Sequence, residues 1–533
     1  MFPNPLSYSA DIVGWPATII TTVILFLALL YNRGTKRFDY FKKKGVPYVE
    51  GAIPFVGNML DFFAKGFTMD VDRIKKYGRV YGEMQSTVPV WVFGDPNLVR
   101  DIGIKEFSNF VNHRRNFVIV NKEFSKALTM VEDAEWKGIR NVMTPTFSSA
   151  KMKKIVPLIQ ACAAEFVEQF ECYVKDKKEF EVKAICGYYT MDVIARTQFS
   201  IEVNSSKEGD RNELIKNARR LFDSISLKKP AFWVGILFPF ANGLMEKLDM
   251  GMMDNESMKF FSSYVDHLFQ LRTKEKGKQM DFLELLINAH DDELDDASKD
   301  SRISAVDDTT ETIEAVKDWR VGKRALSKLE ILSNAMLFFL AGFETTSGSM
   351  CWIFHELAHN PEAQEKLYEE IEETYEKYGS LTYDAVASMK YLDQVFCETT
   401  RLYPAAQRTD RRCNKACKIG DYTIEKDDIV NVAIYAIQRD PEYWSEPDEF
   451  RPERFAKENA DSIVPYSYLA FGIGPRNCVG QRLAALEIKI GVAAVLRQFR
   501  FVPSENSERH PEFKKQGACT PVKGIFLRAE RRI

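Results

Sequence analysis

Residues 471–480 read FGIGPRNCVG, so a lone cysteine, Cys478, stands in a loop with three glycines, a proline and an arginine. A helix-like run, RLAALEIKIGVAAVLRQF (482–499), follows directly. A sulfur in so much bare backbone can serve as a nucleophile, a metal ligand or a buried packing residue. Other stretches also carry residue types able to do chemistry: WKGIR (136–140), AGFETT (341–346), HELAH (355–359), CETTR (397–401) and RPERF (451–455).

HELAH has the H-E-x-x-H form in which two histidines on one helical face can hold zinc while the glutamate, Glu356, acts as base. Asn360-Pro361 ends that helix at once, no G-x-x-H follows, and no third ligand can be named, so the motif reads as a polar helix end. The nine cysteines (162, 172, 186, 351, 397, 413, 417, 478, 519) are an odd set without a C-x-x-C pair, which excludes a disulfide framework and a zinc ribbon. Cys413 and Cys417, with three residues between them and no second pair or histidine nearby, read as structural.

The spacing Phe471-x-x-Gly474-x-Arg476-x-Cys478-x-Gly480 resembles the haem-binding loop of the cytochrome P450 family, the haem-thiolate monooxygenases. An iron-bound thiolate wants backbone N–H donors aimed at sulfur and a helix N-terminus nearby; glycines allow that approach and the helix after Gly480 supplies the dipole. The resemblance makes Cys478 the axial ligand of the metal in haem b (iron protoporphyrin IX) and sets Arg476 on a propionate. AGFETT resembles the oxygen-binding stretch of the family's long helix, with Ala341 and Gly342 leaving room over the porphyrin and Thr345, beside Glu344, handling protons during oxygen activation. A mid-helix hydroxyl can also bond back to the preceding turn and open the ladder slightly. Glu398 and Arg401 of CETTR, taken alone, are a weak i,i+3 surface pair. RPERF follows at family spacing, and the resemblance adds Arg454 to make a buried Glu-Arg-Arg network bracing the pocket. It also implies propionate contacts from Trp136 and Arg140, from Arg114 in NHRRNF and from Arg408 in PAAQRTDR. Gln438 stands where relatives often have histidine, and the sequence suggests no mechanism for it.

These motifs must be placed by long helices, because helical periodicity fills most of 150–400. Strand-like runs are fewer: WVFG (91–94), DYTI (421–424) and DIVNVAIYAI (428–437). The fold class is therefore mainly α with a smaller β portion, and the resemblance implies the cytochrome P450 fold with an N-terminal transmembrane helix. The chain is 533 residues long, 45% hydrophobic and 28% charged, ordinary globular material. A net charge of -3 and pI near 6.2 give no basis for nucleic-acid binding.

Residues 12–31, IVGWPATIITTVILFLALLY, are an uncharged run long enough to span a bilayer. Basic residues follow it (Arg33, Lys36, Arg37, Lys42, Lys43, Lys44) and none precede it, which puts the bulk of the protein on the cytosolic side. The absence of a basic n-region argues for a retained anchor over a cleaved signal peptide. On that topology the sequons at Asn204 and Asn255 are idle. The expected organisation is an anchor with its basic stop at 1–45 and a haem-thiolate catalytic domain at 46–533. The proline- and glycine-bearing stretch 46–59 reads as a stiff connector. Residues 231–245, AFWVGILFPFANGLM, read as a shallow dip into the headgroup region, and the acidic stretch 291–315, with ten acids against two bases, as a solvated loop.

The resemblance covers essentially the whole chain and is closest to the vertebrate drug-metabolising subgroup that also contains thromboxane synthase. It implies a monooxygenase of the microsomal type in the endoplasmic reticulum membrane, inserting one oxygen atom from dioxygen into a small apolar organic substrate, a xenobiotic, steroid or lipid. The chain lacks a dinucleotide fingerprint, so electrons come from an NADPH-dependent flavoprotein reductase, with cytochrome b5 a second candidate donor. Lys126, Lys137, Lys151, Lys153 and Lys154 offer a basic docking face or merely a solvated one. The pocket is expected from parts of 116–130, from Phe338, Ala341, Ala405 and Ala406, and from 516–520, an apolar lining that names no substrate. Two alternatives stay open: a haem-thiolate isomerase acting on a lipid peroxide without a reductase, and a non-catalytic haem carrier or sensor.

Overall fold

A computed structural model of the chain describes residues 6–114, 121–224, 233–235, 242–248, 250–251, 253–275, 281–289, 325–514 and 518–532. The acidic stretch 291–315 and parts of the expected pocket (116–120, 516, 517) and of the 231–245 segment lie outside these residues. Helix makes up 62% of the structure and strand 10%, so the mainly α class with a smaller β portion is what the chain adopts.

Helix α1 (Leu6–Thr35) contains the apolar run. Its segment Ala17–Thr35 has a mean hydropathy of 1.5 and only 6% of it is buried by the rest of the protein, so Ile20, Leu25, Phe26 and Leu29 need an apolar medium of their own. The end of this helix is tied to the body. A Cβ on Gly34 would lie 2.9 Å from the Phe55 ring. Just beyond, Phe41 is buried against Trp91, Tyr40 O–H donates to Asp428 at 2.5 Å, and Lys44 pairs with Glu425 at 3.0 Å.

After α2 (Met69–Tyr77), strands β1 (Val80–Gln85) and β2 (Val88–Phe93) form an antiparallel hairpin. Helices α3 (Asp133–Met143), α4 (Ser149–Asp176) and α5 (Val182–Phe199) follow, with the two-residue strand β3 (Phe180–Glu181) between the last two. Helix α6 (Lys328–His359) is the axis of the molecule. It starts with a capping box, in which the Ser327 N–H donates to Glu330 at 2.7 Å and the Glu330 N–H to the Ser327 hydroxyl at 3.3 Å, and it stops at Asn360-Pro361. Its N-terminal half packs with α3 and α5 around Ile139, Met191 and Phe339; its C-terminal half packs with α4 and α8 (Gln481–Gln498) around Phe166, Phe354 and Val492. A helix shared by two cores is buried almost all round, and beyond its first turn only Ala341 and Thr345 of this one are exposed.

Helix α7 (Lys390–Leu402) leads to β4 (Thr409–Arg412), the hairpin β5 (Cys417–Ile419)–β6 (Tyr422–Ile424), and β7 (Ile429–Val432). The larger sheet has the order β1–β2–β7–β4, with β7 parallel to β2 and antiparallel to β4; β8 (Phe499–Pro503) and β9 (Phe526–Arg531) join β3 in a second sheet. The run DIVNVAIYAI divides: 429–432 is strand, and Ile434–Ile437 turns into a short helix. A fully buried apolar run looks alike in both states, so periodicity could not find that break.

Gly82 of β1 faces the ring of Phe41, and a Cβ there would lie 2.2 Å from it. Phe41 is held edge-on by Trp91 and has no room to retreat. Gly82→Ala is therefore expected to lower stability by about 1–3 kcal/mol, read as an earlier midpoint in chemical unfolding followed by fluorescence.

Candidate functional site

The Cys478 loop is shaped by two glycines with left-handed backbone, Gly472 (φ +76°) and Gly474 (φ +70°). At Gly474 a Cβ would come within 1.9 Å of the Gly103 carbonyl oxygen, so no other residue fits. The Cys478 N–H donates to the Phe471 carbonyl at 2.8 Å and closes the loop, while the Phe471 ring stacks on Phe396 of α7 with centroids 5.9 Å apart. Gly480 differs in purpose: its φ is ordinary and a Cβ would meet nothing within 4 Å, so its bareness keeps the face of the loop clear and serves no packing. Cys478 itself has accessible surface although it lies deep in the fold. Burial pushes its thiol up, opposed by the N–H groups of Gly480 and Gln481 at the start of α8 and by the Arg140 guanidinium.

Along α6, Phe338, Ala341, Gly342, Thr345 and Ser349 share one face and are partly or fully accessible, whereas Phe339, Phe343, Glu344, Thr346 and Ser347 are buried. Phe338 on this face and Val479, next to Cys478, each pack against both cores, so the open stripe and the cysteine loop both border the seam between them. The Thr345 hydroxyl donates to the Ala341 carbonyl at 2.7 Å and that of Ser349 to the Thr345 carbonyl at 2.9 Å. Gly342 has a use the sequence reading did not assign: a Cβ there would lie 2.4 Å from Ile194 of α5, so its missing side chain admits the neighbouring helix. Glu344 points to α5 as well and pairs with Lys183 at 2.5 Å.

Beside the loop lies a cluster of cations, Arg411 buried and Arg114, Arg140 and Arg476 half-buried. Arg476 donates to the carbonyls of Val111 (2.8 Å), Leu128 (3.2 Å) and Val131 (3.0 Å), and its guanidinium lies 4.3 Å from the centre of the Trp136 ring. Arg140 grips Asn477 through both the backbone carbonyl (2.9 Å) and the side-chain oxygen (2.8 Å). Arg114 donates to Gln85, and Asp410 takes the Arg114 N–H (3.2 Å) and the His113 ring (2.8 Å). Burial, together with Arg411 and Arg140, presses Arg476 down to about 8; burial takes Arg140 and Arg411 to about 10 and lowers Arg114 as well. A guanidinium stays charged in a protein, so these groups hold their charge against burial, helped at Arg476 by Asp410 and Glu132 and at Arg114 by Asp410 and Glu83.

Arg408 adjoins this group through Glu83, which also accepts from Gln85, the partner of Arg114. It donates to Asp70 at 2.5 Å and to Glu83 at 2.9 Å, and these carboxylates more than offset the burial that opposes its charge. It belongs to a buried network joining α2 and β1, with Arg73 on Glu83 and the Tyr81 hydroxyl on Asp70 (2.8 Å).

On the other side of Phe471, Glu398 and Arg401 of α7 are wholly buried and form a two-point pair at 2.7 and 2.8 Å. Arg454 adds a third contact to Glu398 at 3.2 Å, and the Arg451 N–H a fourth at 2.9 Å. Arg401 also donates to the carbonyls of Gln438 and Pro447, both at 2.8 Å. Gln438, which sequence reasoning left without a role, has one here: its amide N–H donates to the Arg401 carbonyl at 2.8 Å while its oxygen accepts from the Leu469 N–H at 2.6 Å. It thereby links the Glu-Arg-Arg network to the strand of chain that carries Phe471. Only a side chain that both donates and accepts can do so, the one signal available in the sequence.

HELAH is not a polar helix end. His355 and Glu356 are buried; the His355 Nε2–H donates to the Arg509 carbonyl at 3.2 Å, and Glu356 accepts from Tyr403 (2.5 Å), Arg509 (3.0 Å) and Asn360 (3.1 Å). Its polar atoms are spent on fastening α6 to the chain near β8, and no group of three potential ligands occurs among the described residues. Of the lysines considered for docking, Lys126 pairs with Glu135 (2.6 Å) and Lys153 with Asp384 (3.0 Å), while Lys154 is exposed. Leu244 and Leu248, both 61% exposed, form an apolar edge at the end of the 231–245 segment.

Residues 47–529 match the family model described as Cytochrome P450. The chain is 35% identical over 505 residues to Cytochrome P450 3A11 of Mus musculus, covering 94% of both chains. It is 34% identical over 516 residues to Cytochrome P450 3A1 and 36% identical over 514 residues to Cytochrome P450 3A9, both of Rattus norvegicus, covering 96% of each chain. Replacing Glu398 by Gln strands two buried guanidinium groups and is expected to cost about 3–5 kcal/mol of stability, whereas Gln438→Ala removes the link to Leu469 at about 1–3 kcal/mol; thermal unfolding of the two variants side by side checks the order.

Proposed function

The chain belongs to the cytochrome P450 family, a family of monooxygenases carrying haem b on a cysteine thiolate, and on that premise we propose that it inserts one atom of dioxygen into an apolar organic substrate, a xenobiotic, steroid or lipid, in the seam between Cys478 and α6. The observation that carries the reading is that Arg476 and Arg140, half-buried beside an accessible thiol, bond only to neutral oxygens. The two propionates of a porphyrin ligated through Cys478 would give these cations anionic partners. The residues fit the cofactor in other respects too: Gly480 keeps the face above the loop clear, and Trp136 presents its ring to Arg476.

When bound, the haem supplies the activation of dioxygen by two electrons, favoured by electron density from the Cys478 thiolate. The chain's own residues do the rest. The N–H groups of Gly480 and Gln481 stabilise charge on the sulfur. Ala341 and the bare backbone around it let a ligand approach α6 closely. Thr345 places its hydroxyl on the same open face, and once its proton leaves the Ala341 carbonyl it can be handed to a reacting oxygen. Glu344, anchored by Lys183, acts behind Thr345 as a positioning residue and is not itself on that face. Phe338 and Ala341 keep the site apolar, which favours substrates that partition out of water.

The same proposal assigns 1–45 to a membrane anchor and 46–533 to the catalytic domain, held on the cytosolic face of the endoplasmic reticulum with electrons from an NADPH-dependent flavoprotein reductase and cytochrome b5 as a second donor. The basic residues that follow the apolar run support the orientation.

Full-length protein reconstituted with such a reductase, NADPH and oxygen is expected to oxidise members of a steroid, fatty-acid and foreign-compound panel, with a carbon-monoxide difference band in the reduced state that Cys478→Ser abolishes. Product formed from a lipid peroxide without reductase, and none with it, would instead establish the isomerase; bound haem without substrate-dependent NADPH use would establish the carrier. Thr345→Ala is expected to keep the pigment and its reduction but lower product per NADPH consumed by about 10²-fold or more, and Thr345→Ser to restore most of it.

A further inference from the structure

Gln85 ends β1 and is fixed there from both sides. Across the hairpin it pairs with Val88 of β2. On the other side the chain leading in from α1 is stitched to the same place: the Asn58 N–H donates to the Met84 carbonyl at 2.7 Å, the Met84 N–H to the Asn58 side-chain oxygen at 2.8 Å, and the Ser86 N–H to the Val56 carbonyl at 3.2 Å. Alternation along the strand puts the Gln85 side chain on the same face as Glu83, and its amide N–H donates to Glu83 at 2.6 Å. Glu83 is buried and held in turn by Arg73 and, at 2.9 Å, by Arg408. With its nitrogen committed to a carboxylate, the amide must turn its oxygen the other way, and that oxygen accepts from the Arg114 guanidinium.

We infer that Gln85 is a positioning residue for the cofactor: through Glu83 it is itself aimed, and it aims Arg114 so that the guanidinium meets an anionic group of the haem in a prepared orientation. The inference rests on the functional reading above. Arg114 stands just beyond Val111, the carbonyl on which Arg476 rests, so it borders the cysteine loop. It is gripped at two points, by Asp410 on its backbone N–H at 3.2 Å and by Gln85 on its guanidinium. A side chain fixed at both ends gives up little freedom when its ligand arrives.

The choice of residue at 85 carries the rest of the argument. A carboxylate there would lie against Glu83, like charge beside like charge, and would neutralise Arg114 before any ligand did. An apolar side chain would leave the guanidinium free to turn. An amide is neutral, donates to the carboxylate behind it and accepts from the cation in front, so it directs the charge of Arg114 without discharging it. The planar guanidinium fork then takes its orientation from a single bond to a fixed oxygen. Residues 83, 85 and 114 form no sequence motif, because the contact that joins them is made between a strand and a distant loop.

The test measures how fast haem passes from the full-length protein to excess apomyoglobin, together with the reduction potential of the bound haem. Gln85→Leu strands no charge, since Glu83 keeps Arg73 and Arg408, and it is expected to speed haem transfer about 5-fold. Gln85→Glu is expected to speed transfer and also to lower the potential, because it pairs off the charge of Arg114. In an Arg114→Leu background Gln85→Leu is expected to have no further effect on transfer, which a merely structural role at the end of β1 would not produce. The inference is overturned if both Gln85 variants keep the wild-type transfer rate and potential, or if Gln85→Leu acts as strongly without Arg114 as with it. A wild-type chain that shows no carbon-monoxide band fails the functional reading itself, and the inference falls with it.

Discussion

The carboxylate of Glu398 has no contact with water, and everything around the cysteine loop is arranged by how it is neutralised. Two arginines and a backbone N–H converge on it, so the end of α7, the turn at 449–451 and the short helical turn holding Arg454 must occupy fixed places. Gln438 and the stacked pair Phe396–Phe471 carry that fixity onward to the loop. A buried ion pair is a poor source of net stability but a severe penalty on disorder: any arrangement that separates the partners leaves an uncompensated charge in a medium that cannot solvate it. The pocket side of the loop shows the opposite condition. There Arg476 and Arg140 bond to carbonyl and amide oxygens and to no carboxylate. One wall is held by paired charges; the other holds cations on neutral oxygens.

How much of this could be read from the amino acids depended on whether a residue's role is local or contextual. The cysteine loop was legible because its glycines, arginine and thiol lie within ten residues and each has a backbone or charge reason to be there. The long helix with Thr345 was legible for the same cause. Arg408 was not: its type and position suited an anion contact, yet Asp70 and Glu83, more than three hundred residues earlier, claim it first. No local pattern announces a partner at that distance. Gly342 was assigned room on the open face, and its bare side turned out to be filled by Ile194 of a neighbouring helix, a matter of which way the helix is rotated. HELAH misled for a related reason, since its polar residues serve as a buried fastening to the C-terminal part of the chain.

The fold class followed from periodicity because long helices dominate, while the boundaries of the sheet did not. DIVNVAIYAI is apolar apart from Asp428 and Asn431, and its change from strand to helix after Val432 is decided by the end of pairing with Phe93 and Thr409, which are tertiary partners. Gln438, placed just past that change, gains its function only because the chain turns there.

The attachment of α1 has a mechanical consequence. Gly34 sets the last turn of the apolar helix against Phe55, and beyond the turn at 36–39 Phe41 is wedged under the first sheet while Tyr40 and Lys44 bond to the 425–428 turn, so the helix leaves the body from a fixed stem. A stem transmits torque. On the proposed membrane anchoring, whatever angle the helix took up in a lipid layer would set the attitude of the body joined to it, so bilayer thickness, through helix tilt, would decide which side of the protein lies nearest the lipid.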